Sequence, residues 1–195
     1  TTHRIARKIT ENERSAVLFG KFGARTLNHD CFMQTSFQQR FGFLRESIRN
    51  LRLTGSVAPS SRFLCRRIAE KIDPEHAHAV IELGPGDGVI TRYILDRLRP
   101  DARLMIFEIN EVFVAKLRLM LDDPRLLLIH DSAENMERHF VENGITEVDY
   151  FVSGIPFVML PETLAESITA ECRRWLRKGG RFIQFHYSPL LISFY

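Results

Sequence analysis

From residue 79 onward the chain alternates short β-rich runs with helical patterns, and this alternation restricts the fold more than any other feature. The β-rich runs are 79–83, 103–108, 126–130, 148–153 and 181–187, and the helical runs between them are 88–98, 110–121, 133–142 and 161–177. Strands that take turns with helices form βαβ units, so the pattern predicts an α/β fold with a parallel, doubly wound sheet. Ligands of such sheets bind outside the carboxyl ends of the strands, at the point where strand order reverses. At 195 residues, 45% hydrophobic and 26% charged, the chain has material for about one packed domain, which excludes a disordered polymer. No run of about 18 uncharged apolar residues is present, so nothing in it reads as a membrane span.

The most informative segment is Val80-Ile81-Glu82-Leu83-Gly84-Pro85-Gly86-Asp87-Gly88, a strand that runs into a glycine-rich turn ahead of a helix. Glycines there allow positive φ and let the backbone approach a ligand closely. Glu108 ends the next strand, 20 residues after Gly88, where an acid accepts hydrogen bonds from both ribose hydroxyls. The spacing Gly-x-Gly-x-Gly departs from the dinucleotide pattern Gly-x-Gly-x-x-Gly, which disfavours a nicotinamide-dependent enzyme. A nucleoside without a pyrophosphate suits the loop better, and the carboxylate of Glu82 suits an ammonium group on it. The plainer reading, an ordinary tight βα turn, leaves the two acidic strand ends unexplained.

These residues resemble the class I S-adenosylmethionine-dependent methyltransferases, with their Rossmann-like sheet. The resemblance implies that Glu82, Gly84, Pro85, Gly86 and Gly88 form the first cofactor motif. Glu108, with Ile109 after it, holds the ribose. His130-Asp131-Ser132-Ala133 falls at the adenine position, where Asp131 takes the adenine amino group and the backbone of Ser132 and Ala133 the ring edge. Asp131-Ser132 also reads as a helix N-cap, and both roles can coexist. At the end of the fourth strand, Ser153-Gly154-Ile155-Pro156-Phe157 is similar to the acceptor loop of N-methyltransferases. There the carbonyls of Ser153 and Gly154 accept the amine protons and Phe157 faces the cationic product; the plainer reading is a proline-bounded loop with a core phenylalanine. His186 and Tyr187 end the fifth strand on the same edge, and Tyr187 is a further candidate for acceptor contact beside a purely structural role.

Taken with Gly55-Ser56-Val57-Ala58-Pro59-Ser60-Ser61 and Leu160-Pro161, the chain resembles bacterial phospholipid N-methyltransferases over roughly residues 40–190. The resemblance implies phosphatidylethanolamine as acceptor, with repeated transfers toward phosphatidylcholine. Ribosomal RNA adenine dimethyltransferases share the core, but usually carry an Asn-aromatic acceptor motif and a helical carboxyl-terminal domain. A non-catalytic lipid-binding relative is the third reading. Class I members usually continue past the fifth strand into a helix and an antiparallel strand pair, so the eight residues from Ser188 to Tyr195 lead us to expect that this C-terminal hairpin is missing. The absence of an initial Met is read as processing or a fragment.

Charge divides the chain. Residues 1–72 carry 14 Lys and Arg against 5 Asp and Glu, a net of +9, and residues 73–195 carry 13 against 19, a net of −6. The expected organisation is a basic helical arm over 1–54 and a cofactor-binding domain over 55–195. Within the arm, Phe37, Phe41, Leu44, Ile48 and Leu51 recur at helical spacing and occupy an arc of about 80° at 100° per residue. Arg40, Arg45 and Arg52 flank that arc and Arg49 lies further round. Such a helix either covers an edge of the domain or lies on an anionic membrane, where flanking arginines snorkel to phosphates. The resemblance favours the membrane, on the inner face. An enzyme gripping long RNA would more often carry positive charge on its body. Cys31, Cys65 and Cys172 are too sparse for a disulfide framework and point to a reducing, cytoplasmic setting. No zinc-ligand spacing occurs; His76-x-His78 beside Pro74 reads as a solvated connection, and no metal is expected.

Overall fold

A computed structural model of the chain describes residues 62–157 and 160–185. The elements are α1 (Arg62–Ala69), β1 (Ala79–Leu83), α2 (Val89–Leu95), β2 (Arg103–Phe107), α3 (Glu111–Met120), β3 (Leu126–Ile129), α4 (Met136–Glu142), β4 (Val148–Ser153), α5 (Glu162–Trp175) and β5 (Leu176–Gln184). Short 3-10 turns at Pro74–His76 and Ala133–Asn135 precede β1 and α4. All strand pairs are parallel, in the order β3-β2-β1-β4-β5. The chain therefore winds outward from β1 to β3, crosses back, and continues from β4 to β5 on the other side of β1. The switch point lies between β1 and β4, as a doubly wound sheet requires.

Alternation along each central strand sends side chains to opposite faces. Val80, Leu104, Ile106, Tyr150 and Val152 join Cys65, Ile68, Ile90, Ile94 and Leu117 from α1, α2 and α3 in one apolar cluster. Ile81, Leu83, Met105, Phe107 and Phe151 join Met136, Phe140, Leu164, Ile168 and Cys172 from α4 and α5 in the other. Both sheet faces are thus covered, which is why β1, β2 and β4 read as near-continuous apolar runs.

The opposite edge of the sheet, at the strand amino ends, is fastened by Asp149. Its Oδ2 accepts the backbone N–H of His78 and Ala79, each at 2.8 Å, and its Oδ1 accepts Arg177 Nε. Beside it β5 departs from expectation. The strand begins at Leu176, five residues before the predicted start, because Val148 pairs with Leu176 while Tyr150 pairs with Arg181. The intervening Arg177-Lys178-Gly179-Gly180 bulges out of the ladder, with Gly179 at φ +83° and Gly180 lying against the carbonyl of Asp149. The arm with Phe37, Arg40, Phe41, Leu44, Arg45, Ile48, Arg49 and Arg52, the acceptor candidate Tyr187 with His186, and the expected lack of a hairpin all fall outside the described residues.

Candidate active site at the strand switch point

The glycine loop is built by continuing two ladders. Gly84 N–H donates to the Phe107 carbonyl at 2.9 Å, and Gly154 N–H donates to the Leu83 carbonyl at 2.9 Å. The chain then turns through Pro85 and Asp87, with Gly84, Gly86 and Gly88 at φ of +70°, +60° and +75°. At Gly88 the positive φ coincides with crowding, since a Cβ would stand 2.5 Å from Leu117 Cδ2. Gly88 is the N-cap of α2, which starts in the left-handed region that L side chains disfavour.

Glu108 follows β2 and turns back toward this loop. Its Oε2 accepts Gly86 N–H at 3.1 Å and its Oε1 accepts Asn110 N–H at 2.8 Å. The residue is 4% exposed. Burial raises its carboxyl above the ordinary glutamate value, and the N–H groups of Asn110, Gly86 and Ile109 oppose that shift. A carboxylate oxygen has two lone-pair sites, so each oxygen keeps acceptor capacity toward a hydroxyl in the crevice. Ile109 is half-buried beside it, and Asn110 caps α3 by accepting Val112 N–H.

Glu82 lies in the middle of the sheet, fully buried. Thr91 Oγ1 donates to its Oε2 at 2.7 Å, while Oε1 has no partner among the described residues. Burial pushes the carboxyl up to about 8; the Thr91 hydroxyl opposes the shift, and the charges of Glu108 and Asp87 add to it. A buried carboxyl with an unpaired oxygen gains when a cation or donor comes within reach of it.

Asp131 is where expectation and geometry differ most. Its Oδ1 accepts Ser132 N–H at 2.7 Å and Asn135 Nδ2 at 2.8 Å, while its Oδ2 meets Arg138 at 2.7 Å and His139 Nε2 at 2.8 Å. Burial alone would raise this carboxyl, but the hydrogen bonds from His139, Asn135 and Ser132 hold it below the ordinary aspartate range. Asp131 organises the start of α4, and an adenine amino group would have to displace one of its four donors. Ser132 Oγ accepts Glu134 N–H, which fulfils the N-cap reading, and Ala133 is buried beneath the turn.

The acceptor loop meets the glycine loop directly. A Cβ on Gly154 would stand 2.9 Å from the Gly84 carbonyl oxygen and 2.7 Å from Phe185 Cζ. Ser153 is fully buried; its carbonyl accepts Phe185 N–H at 3.1 Å and its Oγ accepts Ile155 N–H at 3.3 Å. That carbonyl serves the ladder with one lone pair and keeps a second. The Ile155 carbonyl accepts Phe157 N–H and Gln184 Nε2, at 2.9 and 2.8 Å. No bond reaches the Gly154 carbonyl among the described residues, so both carbonyls expected to hold the amine keep acceptor capacity. Pro156 and Phe157 complete the loop half-buried, with the Phe157 ring 6.3 Å from that of Phe182.

Two residues of this arrangement escaped the sequence reading. Gln184 clips the acceptor loop from β5, and its Oε1 is buried without a partner among the described residues. Thr91 holds Glu82. The signal for each was a polar residue inside an apolar run, Phe182-Ile183-Gln184-Phe185 and Val89-Ile90-Thr91.

A glycine cradle at the switch point, closed by a ribose-type acid and met by a Gly-Ile-Pro-Phe loop, belongs to the class I S-adenosylmethionine-dependent methyltransferases. The comparisons agree. Residues 80–180 match the family model described as "Methyltransferase domain", and the chain belongs to that family. It is 30% identical over 150 residues to an ornithine lipid N-methyltransferase of Singulisphaera acidiphila, covering 76% of this chain and 78% of that protein. Among solved structures it resembles an O-methyltransferase from Bacillus cereus, in complex with SAH, with a TM-score of 0.56 at 14% identity over 73% of this chain. It also resembles a 1,6-didemethyltoxoflavin-N1-methyltransferase from Burkholderia thailandensis, with a TM-score of 0.55 at 15% identity over 78% of this chain. The chain spans 65% of each of those two solved proteins, and the likeness is one of fold.

The residues fit S-adenosylmethionine as the cofactor. Glu108 retains acceptor sites for ribose hydroxyls, Glu82 holds an unsatisfied buried oxygen, and at Gly86, where a Cβ would meet nothing within 4 Å, the cradle is open to backbone approach. When bound, that cofactor supplies an electrophilic methyl group on a sulfonium.

Proposed function

We propose that this methyltransferase transfers the methyl group to the amine of a membrane-lipid headgroup, with phosphatidylethanolamine as acceptor and repeated transfers toward phosphatidylcholine. The observation that carries the reading is the contact between Gly154 and Gly84, which sets a carbonyl without a described partner at the edge of the cofactor cradle. The similarity to an ornithine lipid N-methyltransferase supports a lipid acceptor and makes ornithine lipid the second candidate, through the same primary amine.

The amine must reach the methyl with its lone pair free. An alkylamine with a pKa near 10 is only about 0.1% neutral at pH 7. The Gly154 carbonyl accepts an N–H and turns the lone pair toward the sulfonium, while the apolar loop of Ile155, Pro156 and Phe157 desolvates the nitrogen and favours its neutral form. The headgroup ammonium would lose one proton to solvent to free its lone pair, and S-adenosylmethionine, when bound, would supply the methyl group and be left as the neutral thioether. The protein's part is positioning and electrostatics. Ser132 and Ala133 line the adenine end in this reading, and the arm residues 37–52 lie on the inner membrane face.

The test is to incubate the protein with methyl-labelled S-adenosylmethionine and detergent-dispersed phosphatidylethanolamine, ornithine lipid or phosphatidylcholine. Label is expected in an amine-bearing lipid and absent from phosphatidylcholine. Label entering ribosomal RNA instead would replace the reading with an adenine methyltransferase, and cofactor binding without transfer to any acceptor would leave a lipid-binding relative. The acidic charge of residues 73–195 disfavours the RNA outcome.

A further inference from the structure

Helix α1 presents a surface that the cofactor and acceptor sites do not use. Its buried side is Cys65, Ile68 and Ala69, and its outer side carries Arg62, Phe63, Arg66, Arg67, Glu70 and Lys71, all exposed. Phe63 is 73% exposed, and the Arg67 guanidinium lies 5.8 Å from the centre of its ring. Glu70, the one acid, approaches Arg67 at 3.9 Å, both side chains being open to solvent. The open side of the helix thus joins an exposed aromatic to the cations of Arg62, Arg66 and Arg67, the combination that an anionic lipid boundary favours.

Topology fixes where this surface points. Lys71 lies at the amino edge of the sheet, where its carbonyl accepts Arg181, and Asp73 N–H donates to the Tyr150 hydroxyl at 3.1 Å. From there the chain passes through Pro74–His76 into the start of β1. The carboxyl end of α1 is thus tied to the amino edge of the sheet, and the helix rises about 12 Å over its eight residues. Packed along the strands, a helix anchored there would carry its amino end, with Arg62 and Phe63, toward the carboxyl edge that holds Gly84, Glu108 and Gly154.

We infer that the outer face of α1 is an anionic-membrane docking surface, with Phe63 entering the headgroup boundary and Arg62, Arg66 and Arg67 meeting lipid phosphates, so that the acceptor loop is turned toward the bilayer. The inference deepens the lipid-acceptor reading and takes its choice of a bilayer over other polyanions from it. The exposed phenylalanine agrees, since apolar entry into a lipid boundary favours it, whereas a phosphate backbone alone asks only for charge.

The experiment uses the full chain and sedimentation with vesicles of phosphatidylcholine alone or mixed with phosphatidylglycerol. The protein is expected to partition onto the mixed vesicles and to be released by salt. Phe63→Ala is expected to lower partitioning about tenfold, and Arg62→Gln with Arg66→Gln and Arg67→Gln about a hundredfold. S-adenosylmethionine affinity is expected to stay unchanged in both variants, which shows that the domain is folded. Equal sedimentation of the variants and the parent protein would overturn the inference and leave binding to other parts of the chain. Capture of a uridine oligonucleotide, lost in the arginine variant and unaccompanied by vesicle binding, would overturn it in favour of a nucleic-acid surface. Transfer to detergent-dispersed lipid does not depend on docking, so its failure in the parent protein would tell against the lipid-acceptor reading, whatever the vesicles show.

Discussion

At the scale of single residues the site turns on two buried acids with different tasks. Glu108 is pre-aimed by two backbone N–H groups, and a carboxylate held in this way gives charge-assisted hydrogen bonds at little ordering cost. Glu108→Ala is expected to weaken S-adenosylmethionine binding about a hundredfold by titration calorimetry. Glu82 sits deeper, and beside its place in the cofactor fit it affects stability. Burial pushes its folded carboxyl up to about 8 from the ordinary 4.5, so the unfolded chain gives up the proton first as pH rises. Stability from this group is full below about 4.5 and is lost progressively toward about 8. Glu82→Gln keeps an acceptor for Thr91 and is expected to flatten the fall in urea midpoint between about pH 5 and pH 8. At Gly88, alanine would meet both the positive φ and Leu117, with an expected loss of about 1–3 kcal/mol in urea unfolding. Gly84, Gly86 and Gly88 were legible in the sequence because few residues adopt their backbone conformation. Gln184 was not, because its partner, the Ile155 carbonyl, lies 29 residues away and only the β4–β5 register brings them together.

At the scale of elements, the acceptor loop is a short strap held at both ends, by Ser153 in the ladder and by Gln184 from β5. Its distance from the cradle is set by the Gly154–Gly84 contact. Gly154→Ala is expected to reduce turnover at least tenfold while leaving cofactor affinity near that of the parent, because it pushes the loop off Gly84 without touching Glu108. A split of this kind, read by calorimetry beside a transfer assay, separates the loop's role from the fold's. The same scale shows why some boundaries were readable. The predicted and observed spans of β1 and β4 coincide, and those of β2 and β3 differ by a residue at one end, since strands covered on both faces announce themselves as apolar runs. The start of β5 was hidden because Arg177-Lys178-Gly179-Gly180 has the composition of a turn. Only the Arg177–Asp149 ion pair and the close seat of Gly180 on Asp149 keep that bulge in the sheet. The role of Asp131 was likewise half-readable: the cap was local, whereas the ion cluster depends on Arg138 and His139 arriving one helix face later.

At the scale of the whole molecule, function follows from which edge of the sheet is furnished. The amino edge is closed by Asp149 and its partners, while the carboxyl edge carries the glycine turn, Glu108 and the loop from Ser153 to Phe157. Among the described residues no helix is long and apolar enough to cross a membrane, and along the sequence the charge divides into a net +9 over residues 1–72 and −6 over 73–195. The account rests on the cleft between β1 and β4 receiving the nucleoside. The most direct measurement is a crystal structure of the protein with S-adenosylhomocysteine. It is predicted to show both ribose hydroxyls on the Glu108 carboxylate and the sulfur turned toward the Gly154 carbonyl. A nucleoside lodged elsewhere, or Glu108 turned out of the crevice, would contradict it.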